Sequence, residues 1–312
     1  MAIIHTTTDT TDTTPAITPG PTRGPLMAIG GAEDTAHDRV ILRRFVALAG
    51  GEAARIAIVP TASSIEEAGQ RYKAVFLTLG AATAEVSYIA DRAAAFEPAT
   101  TAPLAEATGI FLTGGNQMRL AAILGGSPVE AAIHARHAAG ATVAGTSAGA
   151  SILSRHMVAV GAGGNGPRQR MAQLAAGFGL IDGVIIDQHF RQRDRIGRLL
   201  SLIALNPGQL GLGIDEDTAA LIDAAGLLEV LGRGTVIIVD GQRMTSDIAQ
   251  QQIDRPLNVA DATLHALAHG ARYDLATRRP LPFPTPYDPA HAQRQAEHAR
   301  LYRAVLAADD QA

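Results

Sequence analysis

Five short apolar runs, each closed by a turn of small residues, constrain this chain more than any other feature. They are LMAIGG from Leu26, RIAIVPTAS from Arg55, AEVSYIA from Ala84, GIFLTGG from Gly109 and ATVAGTSAG from Ala141. Runs of this length and apolarity suit strands buried on both faces, as in a mainly parallel sheet. Between them His37 to Ala49, Glu66 to Gly80 and Pro128 to Gly140 space their apolar residues helically, and Pro128 suits a first helical turn. Strand and helix in alternation predict an α/β fold built from βα units. Further on, GVIIDQHF from Gly183 reads as another strand, Asp194 to Leu205 as a helix, and Leu210 to Asp240 as several short strands punctuated by glycine.

The two ends differ in texture from this core. Residues 1–25 are rich in Thr, Asp and Pro and lack the apolar and basic regions of a secretory signal, so a disordered tail and a cytoplasmic setting are expected. After Thr277 a Pro-rich stretch, RRPLPFPTPYDP, leads into a polar Ala/Arg/Gln helix, which predicts an extension over 277–312. One catalytic domain then spans 26–276, with no internal repeat. The chain has no cysteine, which excludes disulfides, thiolate zinc sites, iron–sulfur clusters and a cysteine nucleophile. Its formal net charge of -4 gives no global field for nucleic acid, and its aromatic content of 4%, with no Trp, supplies few stacking platforms. No apolar run approaches the roughly 20 residues needed to cross a bilayer.

Chemistry concentrates at the ends of the strands. Gly145-Thr146-Ser147-Ala148-Gly149 is a G-x-S-x-G sequence placed after an apolar strand and before SILSRH, which can form a helix. A serine on such a turn is lifted above the sheet edge, and the helix N-terminus behind it aims N–H groups at an oxyanion. The bare pattern also fits a packing turn; its position favours a nucleophile. Among ten histidines, His189 ends the GVIIDQHF strand, where α/β enzymes gather catalytic groups, and is the best base. His5, His291 and His298 lie near the chain ends. The pairs His134/His137 and His265/His269 have helical spacing but no H-E-x-x-H arrangement, so no metal is expected.

For the orienting acid, spacing leaves Asp187, Asp215, Glu216 and Asp217 open. The order Ser, His, acid departs from that of α/β-hydrolases, which argues against a lipase or esterase. After His189 comes FRQRDRIGR, in which Arg191, Arg195 and Arg198 would share a helical face and Arg193 would point elsewhere. Such a row fits an acidic substrate or a solvated helix start equally well. Thr113-Gly114-Gly115-Asn116-Gln117 and Gly30-Gly31-Ala32-Glu33-Asp34 are further strand-end turns, and neither is a nucleotide-binding glycine motif. The glycine run GAGGNGP at 161–167 suggests a flap over the site.

Taken in order, GGAED, IAIVPTAS, FLTGGNQMRL, AGTSAGAS, DQHFRQRDRIGRL and GIDEDTA resemble the cyanophycinase branch of the dipeptidase E family of serine peptidases, over roughly Leu26 to Leu275. The resemblance implies a three-layer α/β sandwich like that of class I glutamine amidotransferases, with serine in place of cysteine at the elbow. It implies Ser147 as nucleophile, His189 as base and Glu216 as third triad member, with Gly115 and Ala148 N–H groups as oxyanion hole. Gln117, Asp187, Gln188, Arg193, Arg195 and Arg198 would line the substrate pocket, Asp187 meeting substrate guanidinium groups. The implied activity is hydrolysis of cyanophycin, a poly-aspartate bearing arginine on each β-carboxyl, to β-Asp-Arg dipeptides by a homodimer without cofactor. The alternatives are an aspartyl or isoaspartyl dipeptidase and an inactive binding protein. Arg191 and Asp194 depart from the small residues expected in the motif.

Overall fold

The computed structural model describes residues 23–65 and 67–283. Most of the expected tail, the expected terminal helix, and His5, His291 and His298 lie outside the described residues. The five apolar runs become β1 (Leu26–Ile29), β2 (Arg55–Val59), β3 (Thr83–Val86), β4 (Gly109–Leu112) and β5 (Thr142–Thr146). They lie parallel in the order β1-β5-β4-β2-β3. β1, β4 and β5 are buried along their whole length, as their composition requires, whereas β3 at the sheet edge leaves Thr83 and Glu85 exposed.

The residues of β1 alternate between two cores. Leu26 and Ala28 join a cluster with Leu104, Leu120 and Ile133, which belong to α3 (Pro98–Ala105), α4 (Gln117–Leu124) and α5 (Pro128–Ala138). Met27 and Ile29 join Phe45, Tyr72, Phe76 and Phe111 on the opposite face, beneath α1 (Val40–Leu48) and α2 (Glu67–Thr78). Those four aromatics touch at centroid separations of 4.6 to 6.1 Å. A chain poor in aromatic residues thus concentrates a third of its Phe and Tyr in one place, where each pair adds about 0.5–1.5 kcal/mol to the burial.

Beyond the elbow the chain departs from the expected pattern. The helix behind the elbow is only the short α6 (Ala148–Ser151), to which SILSRH contributes Ser151 alone; Ser154 Oγ then lies 3.0 Å from the Ser151 carbonyl and 3.1 Å from that of His156, where the chain turns into a hairpin. The hairpin strands are β6 (His156–Gly161) and β7 (Ala172–Ala176), and the glycine run lies at its tip. That run is docked: Gly164 N–H donates to Asp194 O at 2.5 Å, and Gly197 N–H to Gly164 O at 2.9 Å. The structure therefore shows a seated loop at the place expected for a flap.

The next strand, β8 (Val184–Gln188), joins a second sheet with β9 (Leu210–Ile214), β12 (Thr235–Asp240) and β15 (Thr263–Ala268) in the order β15-β12-β9-β8. Its inner face packs on the α3–α5 side of the first sheet, and its outer face is covered by α7 (Ile196–Leu205). That helix begins two residues later than the spacing suggests, since a single turn at Arg191–Arg193 ends at Asp194 in the left-handed region, φ 48°. The first sheet is widened next to β1 by antiparallel β10 (Thr218–Ile222), β11 (Leu227–Gly232), β16 (Arg272–Asp274) and β17 (Arg279–Pro280). β17 carries the sheet past Thr277. A small pair, β13 (Thr245–Ser246) with β14 (Val259–Ala260), stands apart. Among the described residues no helix is long and apolar enough to cross a membrane.

Candidate active site

The end of β5 turns so sharply that Ser147 adopts φ 52° and ψ -109°, a sparsely populated conformation for a residue with a side chain. Two glycines make the turn feasible. A Cβ at Gly145 would lie 2.0 Å from the Gly149 carbonyl oxygen, and one at Gly149 2.3 Å from that of Leu112. The Ser147 N–H donates to Ile29 O at 2.9 Å, fixing the elbow to the end of β1.

His189 follows β8 directly and reaches the serine. Its Nε2 lies 2.9 Å from Ser147 Oγ, and its Nδ1 lies 2.6 Å from Glu216 Oε1. The tautomer that satisfies both contacts has Nδ1–H donating to Glu216 and Nε2 accepting the serine hydroxyl. The ring has room only because Gly31 carries no side chain: a Cβ there would sit 2.4 Å from the imidazole, and φ is +101°. Of the neighbouring acids, Asp215 is buried and accepts from Arg191 N–H and from Thr235 through both N–H and hydroxyl. Asp217 accepts from Asp34 N–H and pairs with Arg233. Only Glu216 meets the imidazole, and its own N–H is held by Gln192 Oε1.

Burial is the main cause that lowers the His189 pKa below its ordinary 6.5, aided by the positive charges of Arg193 and Arg195 and opposed by Glu216. The base is therefore kept neutral and able to take a proton. Behind it, Asp187 is completely buried and receives Arg198 through two nitrogens and Arg195 through one. Arg195 also donates to the Gln188 carbonyl, and Arg198 to the Gly161 carbonyl at 3.1 Å. Burial brings the Arg195 pKa down to about 10, with Asp187 opposing the shift. Two guanidinium groups against one carboxylate leave an excess positive charge behind the serine.

These positions revise the expected substrate pocket. Asp187 has no exposed surface and both oxygens are occupied, so it braces Arg195 and Arg198 and does not meet a substrate guanidinium. Arg195 and Arg198 are themselves buried, and the interrupted helix puts Arg191 on the surface, apart from their face. Arg193 is the exposed arginine beside His189. Gln188 Oε1 lies 3.5 Å from Ser147 Oγ, while the Gln117 side-chain amide donates to the Val158 and Ala159 carbonyls and so anchors β6.

A cavity of about 690 Å³ opens on the other side of Ser147. The glycine turn after β4 forms one wall, with Gly115 at φ +143° where a Cβ would strike the Ala62 carbonyl. Among the described residues the N–H groups of Gly115 and Ala148 donate to no acceptor. Glu33, Arg71, Tyr72 and Arg119 also line the cavity, and no motif in the sequence gives any of them a role. Glu33 belongs to the GGAED turn, whose glycines are its visible signal; Arg71, Tyr72 and Arg119 sit on helices where nothing in the spacing separates them from ordinary surface or core positions. The histidine pairs are engaged elsewhere: His134 with Phe178 O, His137 with Gly24 O, His265 against the Tyr273 ring, and His269 Nδ1 accepting from Gly232 N–H. Among the described residues no three His, Asp or Glu side chains are grouped to hold a metal ion.

Residues 26–230 match the model of peptidase family S51. A protein named cyanophycinase from Trichormus variabilis is 43% identical over 269 residues, covering 85% of this chain and 90% of the relative. Another of that name from Geminocystis herdmanii is 41% identical over 262 residues, covering 83% and 96%. A crystal structure of a peptidase from an acI-B1 Actinobacterium superposes with a TM-score of 0.58 over 79% of this chain and 98% of that one, at 23% identity, which shows a shared fold.

Proposed function

The chain belongs to peptidase family S51 and is a serine-type peptidase, and from that premise we propose that it hydrolyses cyanophycin to β-Asp-Arg dipeptides. The substrate assignment follows the relatives that bear the name cyanophycinase. The observation that carries the catalytic assignment is the unbroken contact chain from Ser147 Oγ through His189 to Glu216, at 2.9 and 2.6 Å, on a strained elbow.

In this reading Ser147 Oγ attacks the scissile carbonyl while His189 Nε2 takes its proton, and Glu216 holds the imidazole in its productive tautomer and stabilises its charged form. The oxyanion is received by the N–H groups of Gly115 and Ala148. Collapse of the adduct expels the amine, which leaves with the proton from His189. An acyl-enzyme remains on Ser147. Water, deprotonated by the same imidazole, then releases the product. Arg193 is assigned to substrate carboxylates at the mouth, with Gln188 beside the serine. Asp187, Arg195, Arg198 and Gln117 hold that wall of the site in place. No metal or organic cofactor takes part. A cytoplasmic setting and a homodimer belong to the same proposal, and the homodimer rests on the family resemblance.

Digesting cyanophycin with the purified protein, in parallel with Asp-X and isoaspartyl dipeptides, tests the assignment. Release of β-Asp-Arg, lost in Ser147→Ala while the fold is retained, is expected. Turnover of the dipeptides alone would make the chain a dipeptidase, and turnover retained in Ser147→Ala would remove the triad assignment.

A further inference from the structure

One ionisable side chain next to the nucleophile has no part in the steps above. Glu33 lines the cavity beside Ser147 yet keeps only 6% of its surface exposed. Its Oε1 accepts from the Tyr72 hydroxyl at 2.5 Å and its Oε2 from the Thr146 hydroxyl at 2.6 Å. Thr146 precedes Ser147 in the elbow, so the carboxylate is fixed within one residue of the reacting atom. Among the described residues no Lys, Arg or His nitrogen comes within 4.0 Å of it. Arg71 lines the same cavity and stands over the Tyr72 ring, 5.6 Å from its centroid, but is exposed to solvent and makes no ion pair with Glu33.

A carboxylate this buried is costly without a counter-ion, and two hydroxyl donors make up only part of the solvation lost. A carboxylate has about four acceptor positions, and two hydroxyls use half of them. The open positions belong to a group that lines a cavity large enough for a dipeptide unit. The hydroxyls also fix its orientation, since burial and the neighbouring carboxylate push the Tyr72 pKa well up and keep that hydroxyl a donor.

We propose that Glu33 is the counter-ion for a cationic group of the substrate, making it a specificity residue of the cavity beside Ser147. This rests on the substrate assigned above, a polymer of β-aspartyl-arginine units, which offers two such groups, the arginine guanidinium of every unit and the ammonium of the unit at the N-terminal end. Both are positively charged N–H donors, and either can fill the open positions of the carboxylate.

Binding to the Ser147→Ala protein separates this proposal from the assigned activity, because it needs no turnover. Calorimetric titration compares β-Asp-Arg with two analogues that each lack one cation: β-Asp-citrulline, without the guanidinium charge, and succinyl-arginine, without the ammonium group. Ser147→Ala is expected to bind β-Asp-Arg about tenfold or more tightly than one of the two, in line with a charged hydrogen bond. The analogue that is discriminated identifies the group. Adding Glu33→Gln should abolish that preference, while adding Tyr72→Phe, which keeps the carboxylate, should preserve it. A preference unchanged by Glu33→Gln, or no preference at all in Ser147→Ala, would overturn the proposal. So would equal weakening of all three ligands by Glu33→Gln, since a residue that only ties the elbow to α2 would have that effect. Failure to release β-Asp-Arg from the polymer bears on the assigned activity and leaves this binding result to be judged by itself.

Discussion

On the β8 side of Ser147, Asp187 is completely buried and both of its oxygens are taken by Arg195 and Arg198. On the α2 side, Glu33 is nearly as buried, but its partners are the neutral hydroxyls of Tyr72 and Thr146. The first cluster neutralises its acid within the protein and exports one unit of positive charge. The second leaves its charge unmatched at a cavity wall. Two carboxylates of similar burial thus do different work, and the difference lies in their partners. Internal ion pairing makes a brace, whereas hydroxyl partners orient a charge that a ligand can still meet.

The hardest test of that contrast concerns the acid that belongs to neither cluster. If Asp187 or Glu33 could steady the imidazole, Glu216→Gln would be mild. The geometry gives that task to Glu216 alone, so a fall of about 10⁴ in kcat is expected, the scale seen when a triad acid becomes an amide. Steady-state kinetics of cyanophycin hydrolysis measures it, and a loss below tenfold would place the orienting acid elsewhere.

Next in size is the difference in stability between the two clusters. Asp187→Asn leaves two buried guanidinium groups without their carboxylate and should cost about 3–5 kcal/mol. Glu33→Gln keeps the shape and offers the same two hydroxyls an amide, at a cost of about 1 kcal/mol or less. Denaturant unfolding of both variants reads the gap directly. Equal costs would mean that Glu33 is also an internal brace and that an ion pair is not what distinguishes the two sides.

That contrast also marks how far the sequence could be read. The elbow was legible because its signals are local: a buried strand, glycines on both sides of Ser147, and a turn. The five parallel strands were legible for the same reason, since each carries its own burial pattern. Partnerships between distant segments were not. Asp187 and Arg198 are eleven residues apart; the family resemblance implies that both face a ligand, and spacing cannot correct this, because a charge row looks the same whether it faces solvent, substrate or a buried acid. The interrupted helix at Asp194 decided the matter, and its left-handed turn had no glycine to announce it. Glu33 and Thr146 are 113 residues apart and meet only because β1 pairs with β5. Spacing likewise could not choose among Asp187, Asp215, Glu216 and Asp217; the family resemblance implies Glu216, and in the structure the three adjacent acids point in three directions.

The smallest expected effect tests the positive charge exported toward His189. The base works only when neutral, so the acid limb of kcat/KM follows its pKa. Burial is the first cause that lowers that value below 6.5, and Arg193 is the largest charge contribution in the same direction. Arg193 is exposed and forms no ion pair within 4.0 Å among the described residues, so Arg193→Gln removes the charge without leaving a buried partner behind. With one like charge gone the imidazolium becomes easier to form, and the limb should move up toward 6.5. Glu216 acts in the opposite sense, so the residual activity of Glu216→Gln should carry a limb displaced to lower pH. The two displacements must differ in sign. Because the Arg193 charge is exposed, added salt should weaken its effect and narrow the gap between wild type and Arg193→Gln, while the part due to burial persists. A limb that stays fixed in Arg193→Gln at low salt would mean that burial alone sets the base, and that the positive charge around His189 serves the substrate without tuning the imidazole.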